Sequence, residues 1–384
     1  DLWLNETFAT YLSYRALADT TRFDDAWRVF NGQMRPAAYR QDQLSTTHPV
    51  ATTVEHTDQA VGNFDAITYE KGAAVIKQLV ARIGDHAFRT GLQAYVDRHA
   101  FGNATLADFL VALGEAAGDS LEGWAKLWLQ TASVNVVGAT WDAADGRIER
   151  LTLQLRALPG HEVLRPHRTE IGLVHTTADG SLAVESIPAT FDGPATEVAD
   201  AVGRHEPLFV VPNHRDHDYA LAELDPVSTE FALERLPDLP DPLLRQQTWS
   251  TLWEMVRATR LRSTDYLEAV RRWAPKEADR SMVDSVVGRA GVAHRRYVPD
   301  AMRHDVGRAL TSAAVEAMRT SPDPDLRLTA GQRSLRLAFV GRMVHQKRAP
   351  LVVEITRKLQ AWARKQGIKL AVDMVGTGPY LDVV

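Results

Sequence analysis

The apolar residues of this chain keep a helical period near its start, a strand period in its middle and a helical period again beyond. That change of rhythm restricts its architecture more than any other feature. Ile76, Leu79, Val80 and Ile83 recur at the three-and-four spacing of an amphipathic helix. Thr105 and Asp108 form a capping-box signature, with Asp in place of the usual Glu, ahead of a helix that buries Leu106, Phe109, Leu110 and Leu113. A further helix from Ser120 aims Leu121, Trp124 and Trp128 at one side. From about Trp141 the spacing turns to alternation, with Leu151, Leu153 and Leu155 set between Thr152, Gln154 and Arg156. Ile171, Leu173 and His175 continue it, Asp179-Gly180 makes a turn before Leu182 and Val184, and a strand follows from Leu208 to Val211. His175 on this pattern reads as a core or edge histidine.

Beyond Asn213 the helical period returns. Asp225-Pro226 and Asp241-Pro242 each set a capping acid before a proline suited to a first helical turn. The second of these helices carries Leu244, Trp249, Leu252, Trp253 and Val256, with the tryptophans read as packing, and another helix opens near Ser263 to Asp265. Near Ala330 the character changes once more. Leu335 to Val340 is an apolar strand, Ala349-Pro350 opens a helix that stops at Gly367, and Ile368 to Val375 is a second strand ending in Gly376-Thr377-Gly378-Pro379. The fold class expected is therefore α+β and multidomain. Residues 1–138 are mostly helical, 139–222 form a β-sandwich, 223–328 begin an α-helical superhelix, and 329–384 form a single Rossmann-like βαβ unit.

Composition narrows the function classes. The chain has 384 residues, enough for two or three domains with real cores, and its formal net charge of −5 comes with basic residues dispersed along the sequence. That balance leaves no footprint for nucleic acid and no polybasic membrane patch. Cysteine is absent, which excludes disulfides and thiolate metal sites. No apolar run is long enough to cross a bilayer, and Asp1-Leu2-Trp3 lacks the basic start of a signal peptide, so a cytoplasmic location is expected.

Two short segments carry the chemistry. They are DLWLNETFA from Asp1 to Ala9, and ITYEKG from Ile67 to Gly72. A zinc peptidase site of the HExxH kind needs two histidines one helical turn apart, a glutamate between them to activate water, and a further ligand from a second element. His161-Glu162 and His205-Glu206 are not followed by a second histidine at the required place, so this chain contains no HExxH. Taken singly, Glu6 could be a solvated acid near a helix start, where the dipole favours it, and Tyr69 an aromatic at a helix boundary with its hydroxyl in water. His48, in Thr47-His48-Pro49, has no partner histidine at metal spacing and reads as structural.

Together the two segments resemble the zinc aminopeptidases of the aminopeptidase N type, in which a helix bearing W-L-N-E-G-F-A follows the HExxH helix. The resemblance covers roughly Asp1 to the low 320s and includes Gly102 to Phe109, Trp128 to Gln130 and the stretch Val211 to Ser228. It implies that the helical start is the C-terminal part of a thermolysin-like catalytic domain. It also implies that Glu6 is the third zinc ligand, with Thr7 in place of the usual glycine, and that Tyr69 is the catalytic tyrosine that hydrogen-bonds the oxyanion. The cofactor implied is zinc, and the substrate is a peptide hydrolysed at its N-terminal residue. The family's HExxH and its amine-binding G-A-M-E-N strand would fall before Asp1, so the expectation is a truncated chain that is inactive alone. A non-catalytic module that binds a peptide or protein is the alternative.

The tail carries a second resemblance. F-V-G-R-M-V-H-Q-K followed by V-G-T-G-P is similar to the opening of the nucleotide-sugar-binding domain in two-Rossmann retaining glycosyltransferases. This implies a fusion in which Arg342 and Lys347 contact the diphosphate of a nucleotide sugar, and it leaves a glycosyltransferase as a further alternative. Read without that resemblance, both are solvated loop cations.

Overall fold

The computed structural model describes residues 2–23, 25–52 and 61–320. The segment expected to form a βαβ unit, with Arg342 and Lys347, lies outside them.

The chain opens with helix α1 (Leu2–Thr20), whose inward face is Trp3, Leu4, Thr7 and Tyr11, all buried at helical spacing. Helix α2 (Ala26–Val29) runs through a π turn (Phe30–Met34) into α3 (Arg35–Asp42). A second π turn (Ile67–Lys71) leads directly into α4 (Gly72–Ile83), where Ala73, Ala74, Val75, Ile76 and Leu79 are wholly buried. Residues that apolar and that small suit a helix enclosed by neighbours, and α4 is the central one of this region. Helices α5 (Asp85–Arg98), α6 (Leu106–Ala117) and α7 (Glu122–Trp128) complete it. The capping box is formed as expected, with Thr105 and Asp108 each satisfying the other's backbone N–H.

Seven strands follow among the described residues. They are β1 (Val136–Ala144), β2 (Arg147–Arg156), β3 (His167–Thr176), β4 (Leu182–Phe191), β5 (Ala195–Glu197), β6 (Phe209–His214) and β7 (Leu221–Glu223). One sheet has the order β5-β2-β1-β7 and the other β4-β3-β6. Their facing side chains form one apolar core, with Val137, Leu151, Leu153 and Leu155 from the first and Ile171, Leu173, Ile187 and Val210 from the second. Two results depart from a simple alternation. β7 pairs in parallel with β1, a contact that three residues are too short to announce by period. Val174 is also fully buried, because the outer face of the second sheet is covered by the helices beyond it.

Those helices are α8 (Pro226–Arg235), α9 (Pro242–Arg257), α10 (Ser263–Trp273), α11 (Arg280–Arg296) and α12 (Asp300–Thr320). Asp225 accepts from the Ser228 N–H and Asp241 from the Leu243 N–H, so both acid-proline starts cap as read. Trp249 and Trp253 are packed in this core against Tyr266. Among the described residues no helix is long and apolar enough to cross a membrane.

Candidate active site

Glu6 and Tyr69 come together, although 62 positions separate them in the sequence numbering. Glu6 is half-buried on α1, one residue from Thr7, and its Oε1 accepts from Asn5 Nδ2 at 3.2 Å. Tyr69 is half-buried in the π turn, with its ring 6.4 Å from that of Phe64. Partial burial pushes the Tyr69 phenol above its ordinary pKa, and the nearby Glu6 carboxylate adds to the shift, as does Glu70. The phenol is thereby held as a proton donor.

Thr7 fixes the distance between the two. Its fully buried Oγ1 donates to the Thr68 carbonyl at 2.7 Å, which ties α1 to the residue before Tyr69. Gly72 makes that approach feasible, since a Cβ there would lie 2.0 Å from Thr7 Oγ1. The departure from the family's glycine is therefore a working contact.

Asp65 holds the turn from the other side. Its Oδ1 accepts from the Ile67 and Thr68 N–H groups at 3.0 and 3.1 Å. Its Oδ2 lies 2.9 Å from His48 Nε2 and also accepts from Gln41 Nε2. His48 Nδ1 faces the Pro49 carbonyl at 2.8 Å, so both ring nitrogens point at acceptors. The hydrogen bond to Asp65 raises the His48 pKa against the cost of burial, with the Pro49 carbonyl assisting. Burial pushes the Asp65 carboxyl up, but the bonds from His48 and the turn's N–H groups outweigh it and leave the carboxyl below its ordinary value. Sequence reading placed His48 as structural and missed Asp65. The available signal was an acid just ahead of a helical segment, the position of a cap.

Beneath the turn lies a buried ionic network. Lys71 and Asp42 are 1% and 0% exposed and pair at 2.9 Å. Asp42 also accepts from the Ser133 N–H at 2.9 Å, Thr47 Oγ1 at 2.6 Å and the Tyr219 hydroxyl at 3.2 Å. Desolvation lowers the Lys71 pKa, opposed chiefly by the charge of Asp42. Nearby, buried Arg35 pairs with Asp216 at 2.9 Å and donates to the Asp218 carbonyl at 2.6 Å, joining α3 to the loop after β6.

A zinc ion requires three protein ligands and commonly four donors in all. Among the described residues no three His, Cys, Asp or Glu side chains converge, and Glu6 is a single carboxylate. These residues do not by themselves fit a zinc site, and no chemical step through a metal follows from them.

Residues 1–130 match the peptidase family M1 domain, and residues 209–376 match the ERAP1-like C-terminal domain. The chain is 38% identical over 331 residues to aminopeptidase N of Streptomyces lividans, an alignment covering 84% of this chain and 39% of that protein. It is 33% identical over 156 residues to a probable aminopeptidase 2 of Sulfurisphaera tokodaii, covering 41% of this chain and 20% of the relative. A tricorn protease-interacting factor F2 of Thermoplasma volcanium is 33% identical over 163 residues, covering 42% and 20%. The chain belongs to the M1 peptidase, or aminopeptidase N, family, and carries an ERAP1-like C-terminal domain. It spans about two fifths of the Streptomyces protein and a fifth of the other two. The ERAP1-like match runs on to residue 376, through the segment expected to be foreign, and the comparisons give the glycosyltransferase and nucleotide-sugar readings no support.

Proposed function

We propose that this chain forms one wall of a zinc-dependent aminopeptidase site that removes N-terminal residues from peptides. In this reading residues up to α7 are the C-terminal part of a thermolysin-like catalytic domain. The two sheets are its β-sandwich, and α8 to α12 begin the helical superhelix. The observation that carries the proposal is the Thr7–Thr68 hydrogen bond, which sets the helix bearing Glu6 against the turn that bears Tyr69. Family membership and the similarity to aminopeptidase N support it.

Each residue has a distinct role in this reading. Glu6 supplies a carboxylate from a rigid helix to complete a metal cage whose histidines come from outside this chain. Tyr69 keeps its proton at neutral pH and gives a hydrogen bond to the oxygen that becomes negative as the peptide carbonyl is attacked. Asp65 and His48 hold the turn that presents it. A single carboxylate cannot replace a cage of three, so the chain alone is expected to be inactive.

The test has two arms. The purified chain is assayed with leucine p-nitroanilide, with and without a chelator, and the same chain is assayed joined behind an HExxH-bearing segment of an M1 peptidase. Background rates from the first and chelator-sensitive hydrolysis from the second are expected. Glu6→Ala should abolish that hydrolysis, and Tyr69→Phe should lower kcat by about 10²–10³. Chelator-sensitive turnover by the chain alone would refute its inactivity, and a joined enzyme indifferent to Glu6→Ala would refute the ligand role.

A further inference from the structure

A cleft of about 950 Å3 runs between the Gly32–Leu44 stretch and helices α9 and α11, and shares no lining residue with the Glu6–Tyr69 site. Its lining includes five guanidinium groups, from Arg40, Arg257, Arg289, Arg295 and Arg296, against the one carboxylate of Asp284, which has a partner of its own. The arginines that read as dispersed along the sequence are thus gathered by the fold. Four come from the C-terminal helices and one from α3.

Arg289 distinguishes this cleft from a solvated basic surface. It is 8% exposed, and its hydrogen bonds go to neutral acceptors, Ser250 Oγ at 3.1 Å and the Gly32 carbonyl at 2.9 Å. Burial pushes its guanidinium below the ordinary pKa, with Tyr266 and Glu254 opposing. A buried cation whose own hydrogen bonds go to neutral groups has given up hydration without a carboxylate in direct contact. Arg257 is already paired, to Glu254 at 2.6 Å. Arg40, Arg295 and Arg296 are exposed and have no carboxylate partner among the described residues.

We propose that this cleft binds a small multivalent oxyanion of the phosphate class, a di- or triphosphate, with Arg289 as its buried anchor and Arg40, Arg295 and Arg296 as outer forks. Guanidinium groups present paired donors at a spacing that suits phosphate oxygens, and several unpaired cations in one cleft call for several negative charges on one ligand. The volume is within the range of small-ligand sites.

The test is titration calorimetry of the full 384-residue chain with inorganic pyrophosphate and with tripolyphosphate. Saturable binding at one site is expected. The exposed pair Arg295→Gln/Arg296→Gln should weaken it by at least about tenfold without altering the melting temperature. Arg289→Lys, which keeps the charge but loses the fork, should weaken it as well. Arg15→Gln/Arg168→Gln, in a separate cleft lined by Lys77 and Glu170, should leave binding unchanged. Absence of saturable heat, or binding insensitive to the Arg295/Arg296 pair, overturns the site. Citrate binding as tightly as pyrophosphate overturns the phosphate assignment.

Discussion

Tyr69 and Lys71 lie two residues apart in one five-residue turn and meet opposite surroundings. Tyr69 stands half-buried beside Glu6, whereas Lys71 is sealed against Asp42, Ser133 and Tyr219. Lys71 and Asp42 are opposite charges, whereas the Tyr69 phenol beside Glu6 could only become a like charge, and the two places differ in what they do for the protein. The buried pair has surrendered its water and depends on every partner, so removing one is severe. The outer pair remains in contact with solvent and depends less on its neighbours for stability. The turn thus anchors its far end so that its near end can present a proton donor in a fixed place.

The strongest way to break that contrast is Asp42→Ala. It strands the Lys71 ammonium, the Ser133 N–H and the Tyr219 hydroxyl in a dry site, and should cost about 3–5 kcal/mol in chemical denaturation. Adding Lys71→Met to Asp42→Leu should return much of that loss, because an apolar pair carries no stranded charge. If Asp42→Ala lowered stability no more than an ordinary surface change, the network would not be the anchor described here.

Next in size is the contact between Thr7 and Gly72. Gly72→Ala forces a methyl group onto Thr7 Oγ1 and should cost about 1–3 kcal/mol by overpacking. Thr7→Val leaves the Thr68 carbonyl without its donor and should cost about 1–2 kcal/mol. The double variant Thr7→Gly/Gly72→Ala should be more stable than the sum of its parts. Strict additivity in this cycle would show that α1 and the turn are not coupled through this contact.

A smaller effect belongs to His48. Its folded pKa is raised, so the stability it contributes is fully present below the unfolded value of about 6.5 and is lost as pH rises through the folded value. Asp65, with a lowered folded pKa, contributes stability above its unfolded value of about 3.9 that is lost as pH falls through the folded one. In His48→Gln the decline of stability between mildly acidic and neutral pH should flatten, as measured by urea midpoints across that interval. An unchanged pH profile would remove the His48–Asp65 bond from the account.

What was readable beforehand follows from range. The caps at Thr105, Asp225 and Asp241 are complete within four residues, and each formed as read. The Leu151, Leu153 and Leu155 alternation belongs to one strand, and it too is realised. Glu6 and Tyr69 were singled out through their segments, since nothing local distinguishes either from a solvated residue. Lys71 was not legible at all. In a polar segment it reads as a surface cation, because Asp42, Ser133 and Tyr219 reach it from three other parts of the chain. The buried outer face of β3 and the arginine cleft failed for the same reason, since each exists only once distant helices are docked.

The smallest expected effect is on stability, and the most specific is on a titration. Glu6→Gln keeps the shape of the side chain and removes its charge at a half-exposed position, so folding should change by no more than about 0.5 kcal/mol. The same change withdraws a negative charge from beside the Tyr69 phenol, whose pKa should fall back toward the ordinary value of about 10. Partial burial and Glu70 remain, so the return should be incomplete. Absorbance of the phenolate, with Tyr69→Phe as the difference reference, isolates this one group from the other tyrosines. Burial and the neighbouring carboxylates both favour the protonated phenol, so its donor capacity is present below the raised pKa and disappears as pH climbs through it. If Glu6→Gln left the Tyr69 titration where it was, the carboxylate would not be acting on the phenol. The outer end of the turn would then be two neighbouring side chains with no shared electrostatics, and its contrast with the Asp42–Lys71 end would be one of burial alone.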